Sequence, residues 1–266
     1  MARGEQEQKC IDFVSKQLEE NKFNSLLPNK DIDIIRQIFH IAKPNSHLSE
    51  FPDFIFENGF IEHFQVTSAK ETKKGSKSAE ASASFEKECE SANEEMLKTL
   101  MQSHEVNQFY THQMEMDCPE CSYEYYEKSF KKNFEHHIES LERYTGAKNV
   151  GIFLIEQSGS PITILKDNKF VDFYHLQMDA PLLDYLYQYK DKLKYVVFYH
   201  QTFCDIISLK DIPTIKSKIP DDITWGMGRF RNMHVVNAID IEPSKSPSEV
   251  NLTISFQQTK SAGDYL

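Results

Sequence analysis

Apolar residues recur at helical spacing in three stretches of the chain. Residues 5–21, 31–42 and 122–144 each carry an apolar stripe on one side, which is typical of helices that pack on a core. Ser122 is a suitable N-cap for the third helix. The predicted core positions, helix by helix, are Cys10, Phe13, Val14 and Leu18; Ile32, Ile35, Ile38, Phe39 and Ile41; and Tyr126, Phe130, Phe134, Ile138 and Leu141.

Apolar runs of β type alternate with these helices. Residues 149–156 and 194–200 are nearly continuous apolar runs, as in central strands covered on both faces. Asp167-Asn168 predicts the turn of a further hairpin. The remaining predicted elements are a helix at 181–193, a strand or short helix at 203–209, and strands at 235–241 and 251–256. This order predicts an α/β fold with a mixed central sheet flanked by helices.

Residues 51–70, FPDFIFENGFIEHFQVTSAK, predict a hairpin, because two aromatic-rich runs flank Asn58-Gly59. Two registers are possible. With Asn58-Gly59 at the turn, Asp53 faces Phe64 across the strands. With Glu57-Asn58 at the turn, Asp53 and Glu62 are direct partners.

In both registers the carboxylates of Asp53 and Glu62 lie on one face of the hairpin, whereas His63 and Gln65 lie on the other. Two neighbouring carboxylates suit Mg²⁺, which takes oxygen ligands and often only one or two from protein. Such an ion can activate a water and stabilise charge on a phosphoryl oxygen. A surface hairpin with two ordinary acids is the alternative.

Pro52-Asp53 followed by a hairpin and then by Glu62 in an apolar strand resembles the PD-(D/E)xK phosphodiesterase superfamily, which includes many restriction endonucleases and DNA-repair nucleases. The resemblance implies a restriction-endonuclease-like fold, and the polar composition after Thr67 predicts that this fold carries an exposed insertion. It also implies that Asp53 and Glu62 bind Mg²⁺ or Mn²⁺ in a metal-dependent nuclease. It favours DNA over RNA as the substrate, and a role in bacterial defence would be in keeping with it.

The sequence departs from the family pattern at the lysine, because Phe64 stands two residues beyond Glu62. Gln65 is the nearest polar substitute, and it would need a β-bulge to reach the face of the acids. A lysine from residues 128–132 could instead take that place. His136 or His137 could touch phosphate or metal, or lie exposed on the helix.

At 266 residues and 31.0 kDa, the chain is predicted to form one nuclease-like domain over residues 1–266. A polar insertion is expected at about 68–121, as a mobile loop or an exposed helix, and a less regular extension from about 210. Lys70, Lys73, Lys74 and Lys77 form the most basic patch of the insertion, which suits either contact with a nucleic-acid backbone or a solvated linker.

The net charge of −11 counts against a simple nucleic-acid binder, although a metal site can work within an acidic protein. No apolar run approaches the roughly 20 residues that span a bilayer, so no membrane partner is expected. The N-terminus lacks the apolar segment of a secretory signal. With five cysteines, this predicts a reducing, cytoplasmic location.

Cys118 and Cys121 form a CxxC pair, which is half of a common zinc site. The other ligands would come from His112, His136, His137 or Cys89, and the alternative is two cysteines without metal.

Two further functions stay open beside the nuclease. One is a non-catalytic or partner-dependent nuclease-like binding module, with a protein partner or a homo-oligomer. The other is a zinc-stabilised interaction protein.

Overall fold

The computed structural model describes residues 4–46, 50–72, 75–102, 111–117, 121–158, 161–200, 203–227, 230–243 and 250–262. The chain divides into two compact units, and each is formed by two separate segments. The first unit contains Met1–Ser68 and Ser122–Met227, and the second contains Ala69–Cys121 and Gly228–Leu266.

The α-helices in the described ranges are α1 (Glu5–Glu19), α2 (Asn29–Ile41), α3 (Lys77–Gln102), α4 (Tyr123–Arg143), α5 (Ala180–Tyr187) and α6 (Ile212–Lys216). Short 3-10 helices occupy Leu176–Met178 and Leu209–Asp211. None of these helices combines the length and the apolarity that crossing a lipid bilayer requires.

The first strands along the chain are β1 (Asn24–Ser25), β2 (Lys43–Pro44), β3 (Phe54–Phe56), β4 (Gly59–Thr67), β5 (Glu71–Thr72), β6 (Gly75–Ser76) and β7 (Thr111–Asp117). The later ones are β8 (Val150–Ser158), β9 (Ile162–Lys166), β10 (Lys169–Phe173), β11 (Tyr195–His200), β12 (Phe203–Ser208), β13 (Ile223–Met227), β14 (Phe230–Pro243) and β15 (Val250–Ala262).

A seven-stranded mixed sheet is the centre of the first unit, with the order β1-β12-β11-β8-β4-β3-β2. Strands β4, β8 and β11 run parallel to one another, and β3 and β12 pair antiparallel to β4 and β11. Strands β10, β9 and β13 form a small second sheet. The prediction of an α/β fold with a mixed sheet flanked by helices is confirmed.

Each face of the large sheet is covered by its own helices. Helices α1 and α2 pack on one face, where their apolar stripes meet Ile61, Leu154 and Val197. Helices α4, α5 and α6 pack on the other face, against Phe60, Phe64 and residues of β8 and β11. Because side chains alternate along a strand, neighbouring residues of β4 enter different cores.

The sequence pattern identified the first three predicted helices well and the fourth less well. The five predicted core residues of α4 are all buried, and Ser122 Oγ accepts the N–H of Tyr125 at 3.1 Å as the N-cap. Ile41 was expected inside but is 52% exposed, because α2 ends there. Helix α5 ends at Tyr187, six residues earlier than predicted from the apolar spacing.

The hairpin takes the second of the two predicted registers. Phe54 pairs with Ile61 and Phe56 with Gly59, so Glu57 and Asn58 form the turn. Gly59 is needed in the strand rather than in the turn: a Cβ there would lie 1.9 Å from the carbonyl oxygen of Val150 in β8. Gly59 therefore permits close contact between the two strands. The Asn-Gly pattern alone does not show whether the glycine serves such a contact or a turn.

The second unit is described by its own elements. Helix α3 occupies residues within the predicted insertion, so this part of the insertion is a helix rather than a loop. Strands β15, β14 and β7 form a three-stranded antiparallel sheet, and β5 pairs with β6. Phe85 and Cys89 of α3 are buried together, with Ala81 packed against them.

Candidate functional site

The hairpin brings Asp53 and Glu62 together and locks them in place. The backbone N–H of Asp53 donates to Glu62 Oε2 at 3.0 Å, and the backbone N–H of His63 donates to Asp53 Oδ2 at 2.8 Å. Each carboxylate is therefore held by an amide of the other strand. We call Asp53 and Glu62 the acid pair.

His137 of α4 covers the acid pair from the helix side. Its Nδ1 lies 2.7 Å from Glu62 Oε1, within hydrogen-bond distance. The ring is stacked on Phe64, with the centroids 4.4 Å apart and the planes 10° from parallel. Glu62 and Phe64 are both only 6% exposed, so this contact is largely removed from water.

Burial dominates the electrostatics of the acid pair. Burial, followed by the charge of Glu62, raises the pKa of Asp53 to about 7. Burial also raises the pKa of Glu62 to about 8. For His137 burial lowers the pKa to about 4, so the imidazole is neutral at pH 7. The two carboxyls resist ionisation where they are, and a bound cation would stabilise both as anions.

The donors of the acid pair fit Mg²⁺ or Mn²⁺. Both residues offer only oxygen ligands, which these ions prefer. Asp53 Oδ1 accepts no backbone N–H from the described residues, and Glu62 Oε1 contacts the neutral imidazole of His137. Since Mg²⁺ commonly takes one or two protein carboxylates, water could complete its coordination.

Gln65 lies on the opposite face of β4 from the acid pair. Its Nε2 donates to Glu156 Oε2 at 2.8 Å. The β-bulge that would carry Gln65 to the acids is absent, because β4 pairs with β8 without a register shift from Gly59 to Thr67. The alternation of the strand therefore keeps the Gln65 amide on the face of α1.

The lysines considered as substitutes for the family lysine lie on α4. Lys131 Nζ binds Glu127 at 2.7 Å and lies over the ring of Tyr185. Lys128 and Lys132 are exposed. His136 is also exposed. Of the α4 residues named from the sequence, His137 is the one whose described contacts include the acid pair.

A second polar cluster lies on the face of the sheet that α1 covers. The ligand atoms of Cys10, His63 and Glu156 all lie within 4.8 Å of one another, and this group could hold a metal ion. Cys10 comes from α1, His63 from β4 and Glu156 from β8. We call these three residues the Cys10–His63–Glu156 cluster.

Sequence reasoning missed this cluster for a physical reason. Cys10 fits the apolar stripe of α1, and Glu156 ends an apolar run, so each has an ordinary explanation alone. Only the parallel pairing of β4 with β8, which places Gln65 opposite Glu156, brings the polar residues together. The one available signal was the polar Glu156 at the end of a buried strand.

The predicted zinc pair is described only in part. Cys118 lies outside the described residues. Cys121 is partly exposed and forms an isolated β-bridge with Ala69. Zinc at Cys118 and Cys121 therefore stays a prediction. Among the residues assigned to the basic patch, Lys73 and Lys74 also lie outside the described ranges.

Comparison with known proteins adds no relative to these observations. No family model matches the chain, and no curated protein and no solved structure gives a significant match.

Proposed function

We propose that this chain is a metal-dependent nuclease, which hydrolyses phosphodiester bonds of nucleic acid, DNA in preference to RNA. The observation that carries the proposal is the acid pair: two neighbouring carboxylates, locked by backbone amides and held in a buried place where their pKa values rise. Buried acids with perturbed pKa values are typical of functional sites.

The arrangement of elements supports a restriction-endonuclease-like fold. A helix comes first, the acid-bearing hairpin β3–β4 follows, and later α4 leads into β8, which pairs parallel to β4. This is the order that the resemblance to the PD-(D/E)xK superfamily implies. The acids lie on β4 and just before β3, at the places that the family pattern gives them.

A divalent ion at this place would supply Lewis-acid stabilisation of a phosphoryl oxygen and a lower pKa for a bound water. The chain's own part is to hold the ligands. The amides of Asp53 and His63 fix one oxygen of each carboxylate, so their remaining oxygens are oriented before an ion arrives. His137 orients Glu62 through the contact of its Nδ1 with Glu62 Oε1.

His137 is expected to act as a positioning residue through Glu62. In His137→Phe the ring stack on Phe64 can persist, but the contact with Glu62 is lost. Loss of such an outer contact typically weakens metal affinity or activity about 10–100-fold. We therefore expect the Mg²⁺ concentration for half-maximal cleavage to rise by about that factor.

The exposed neighbour His136 provides the control, as His136→Phe changes the same residue type on the same helix. Its Mg²⁺ requirement should match that of the wild type. Equal changes in both variants would mean that His137 acts on general helix stability and not on Glu62.

A cleavage assay tests the proposed function. Plasmid DNA, single-stranded DNA and RNA are each incubated with the protein in Mg²⁺, in Mn²⁺ and in a chelator. We expect cleavage that requires the metal, with DNA cut faster than RNA. Metal-independent cleavage would contradict the role of the acid pair. Cleavage confined to RNA would contradict the assigned substrate.

One observation favours a second candidate, a nuclease-like binding module without catalysis. Phe64 stands at the family's lysine position, is buried, and stacks on His137, so no cation is supplied there by β4. This module would bind nucleic acid or a protein partner without cutting. Nucleic-acid binding that persists while all three substrates stay intact in both metals would favour it over the nuclease.

A further inference from the structure

We infer that the Cys10–His63–Glu156 cluster is a binding site for Zn²⁺ or a similar transition-metal ion, separate from the acid pair. The two sites share strand β4 but use its opposite faces, since Glu62 points toward α4 and His63 toward α1. The inference does not depend on the proposed nuclease activity.

The donor chemistry selects the class of ion. A thiol sulfur, an imidazole nitrogen and a carboxylate oxygen are the usual ligands of Zn²⁺. Mg²⁺ and Ca²⁺ prefer oxygen ligands alone. The cluster therefore suits an ion that the acid pair does not, and the chain can keep the two ions at different places.

Two of the distances between ligand atoms are close to those of tetrahedral coordination. Cys10 Sγ lies 3.5 Å from Glu156 Oε2, and His63 Nε2 lies 3.2 Å from the same oxygen. Around tetrahedral zinc, with ligands at about 2.0–2.3 Å, neighbouring ligand atoms are separated by roughly 3.3–3.7 Å.

The surroundings also hold the carboxylate ligand in place. Nε2 of Gln65 and Nε2 of Gln6 donate to Glu156 Oε2 at 2.8 and 3.2 Å. Burial opposes ionisation, but the hydrogen bonds from His63 and Gln65 lower the pKa of Glu156 to about 2. Supporting contacts of this kind orient metal ligands in known sites.

Tyr199 adds a further buried polar group beside the cluster. Its side chain is 5% exposed, and its hydroxyl has no hydrogen bond of acceptable geometry with a described residue. Cys10 and Glu156 are nevertheless its neighbours, and burial followed by the charge of Glu156 raises its pKa. Buried hydroxyls without partners are rare, and an ion or its bound water would satisfy this one.

The three ligand residues are largely buried, and they come from separate elements of the fold. Cys10 and His63 are buried, and Glu156 retains only 20% exposure of its side chain. The three ligands come from α1, β4 and β8, so a bound ion would tie the first helix to two central strands. Zinc sites with three protein ligands usually complete their coordination with a water, and burial of the ligands would shield such an ion from bulk solvent.

Cobalt substitution tests the inference. The metal-free 266-residue chain is titrated with Co²⁺ under reducing, oxygen-free conditions, and the thiolate-to-cobalt charge-transfer absorption is recorded. Zn²⁺ is then added to displace the cobalt. We expect about one equivalent of Co²⁺ with a thiolate band, and loss of the band when Zn²⁺ binds. No thiolate band at saturating Co²⁺ would overturn the assignment.

Single substitutions identify the residues that bind the cobalt ion. Cys10→Ser should abolish the thiolate band, and Glu156→Gln should weaken Co²⁺ binding at least tenfold. Cys204→Ser is the matched control, because Cys204 is another buried cysteine in the same core. It should keep the band, as should Glu62→Gln. A band that survives Cys10→Ser but disappears in Cys121→Ser would place the ion at the CxxC pair and overturn the inference.

Discussion

In the Asp53→Asn and Glu62→Gln variants, the metal-dependent cleavage rate is expected to fall by a factor of about 100 to 1,000. Each replaces a charged oxygen ligand by a neutral amide of nearly the same shape. Stabilisation of transition-state charge by a bound ion is worth several kcal/mol, and each 1.4 kcal/mol is about tenfold in rate. Rates are measured on plasmid DNA at saturating Mg²⁺ and again in Mn²⁺.

The same variants should fold as well as the wild type. In each variant the oxygen of the new side-chain amide can still accept the backbone N–H that the carboxylate accepts. Removing an acid from a buried place also removes the free-energy penalty of ionising it. Lost activity with unchanged or higher thermal stability would therefore separate a role in catalysis from a role in folding.

Two exposed acids provide matched controls for this experiment. Asp191→Asn changes a side chain that is 82% exposed, and Glu139→Gln changes an exposed residue of α4. Both should cleave at the wild-type rate. Undiminished cleavage by Asp53→Asn and Glu62→Gln would mean that the reaction takes place elsewhere in the chain.

The metal-free protein is expected to lose stability as the pH rises from about 5 to 8.5. Burial raises the pKa of Asp53 to about 7 and that of Glu62 to about 8, whereas in the unfolded chain both are near 4. Between these values the folded protein retains protons that the unfolded chain has lost. The free energy of unfolding therefore falls with pH in this window, by on the order of 5 kcal/mol for both carboxyls together.

Urea unfolding in a chelator, repeated at several pH values, measures this effect. Glu62→Gln should lose about half of the pH dependence, and Glu139→Gln should lose none. Mg²⁺ should stabilise the wild type more at pH 8.5 than at pH 5, because the ion competes with protons for the same oxygens. A stability that rises between pH 5 and 8.5 in the chelator, with no difference between the wild type and Glu62→Gln, would contradict the assigned burial of the acids.

Much of the fold follows from local patterns. The apolar spacing of α4 and its Ser122 cap predict a helix that the structure places within a residue or two. Asp167 and Asn168 form the predicted tight turn, and both have positive φ, at 51° and 59°. The placement of Asp53 and Glu62 on one face could also be predicted, because both hairpin registers give the same alternation.

The remaining features depend on contacts between distant parts of the chain. Of the two possible registers, the hairpin has the one with Glu57 and Asn58 in the turn, because Gly59 lies against Val150 of β8. Val150 is 91 residues further along the chain. The contact of His137 with Glu62 depends on how α4 packs, and the position of Cys10 beside Glu156 depends on both α1 and the sheet. No local pattern specifies such pairings, because loop closure and packing decide them together.

Crystals soaked in Mn²⁺ and measured for anomalous scattering would test the acid pair most directly. The account predicts one strong peak between the carboxylates of Asp53 and Glu62, at coordinating distance from an oxygen of each, and its disappearance in Asp53→Asn crystals. A peak confined to other positions, or no peak at saturating Mn²⁺ above pH 8, would contradict the claim that these two acids form a metal site.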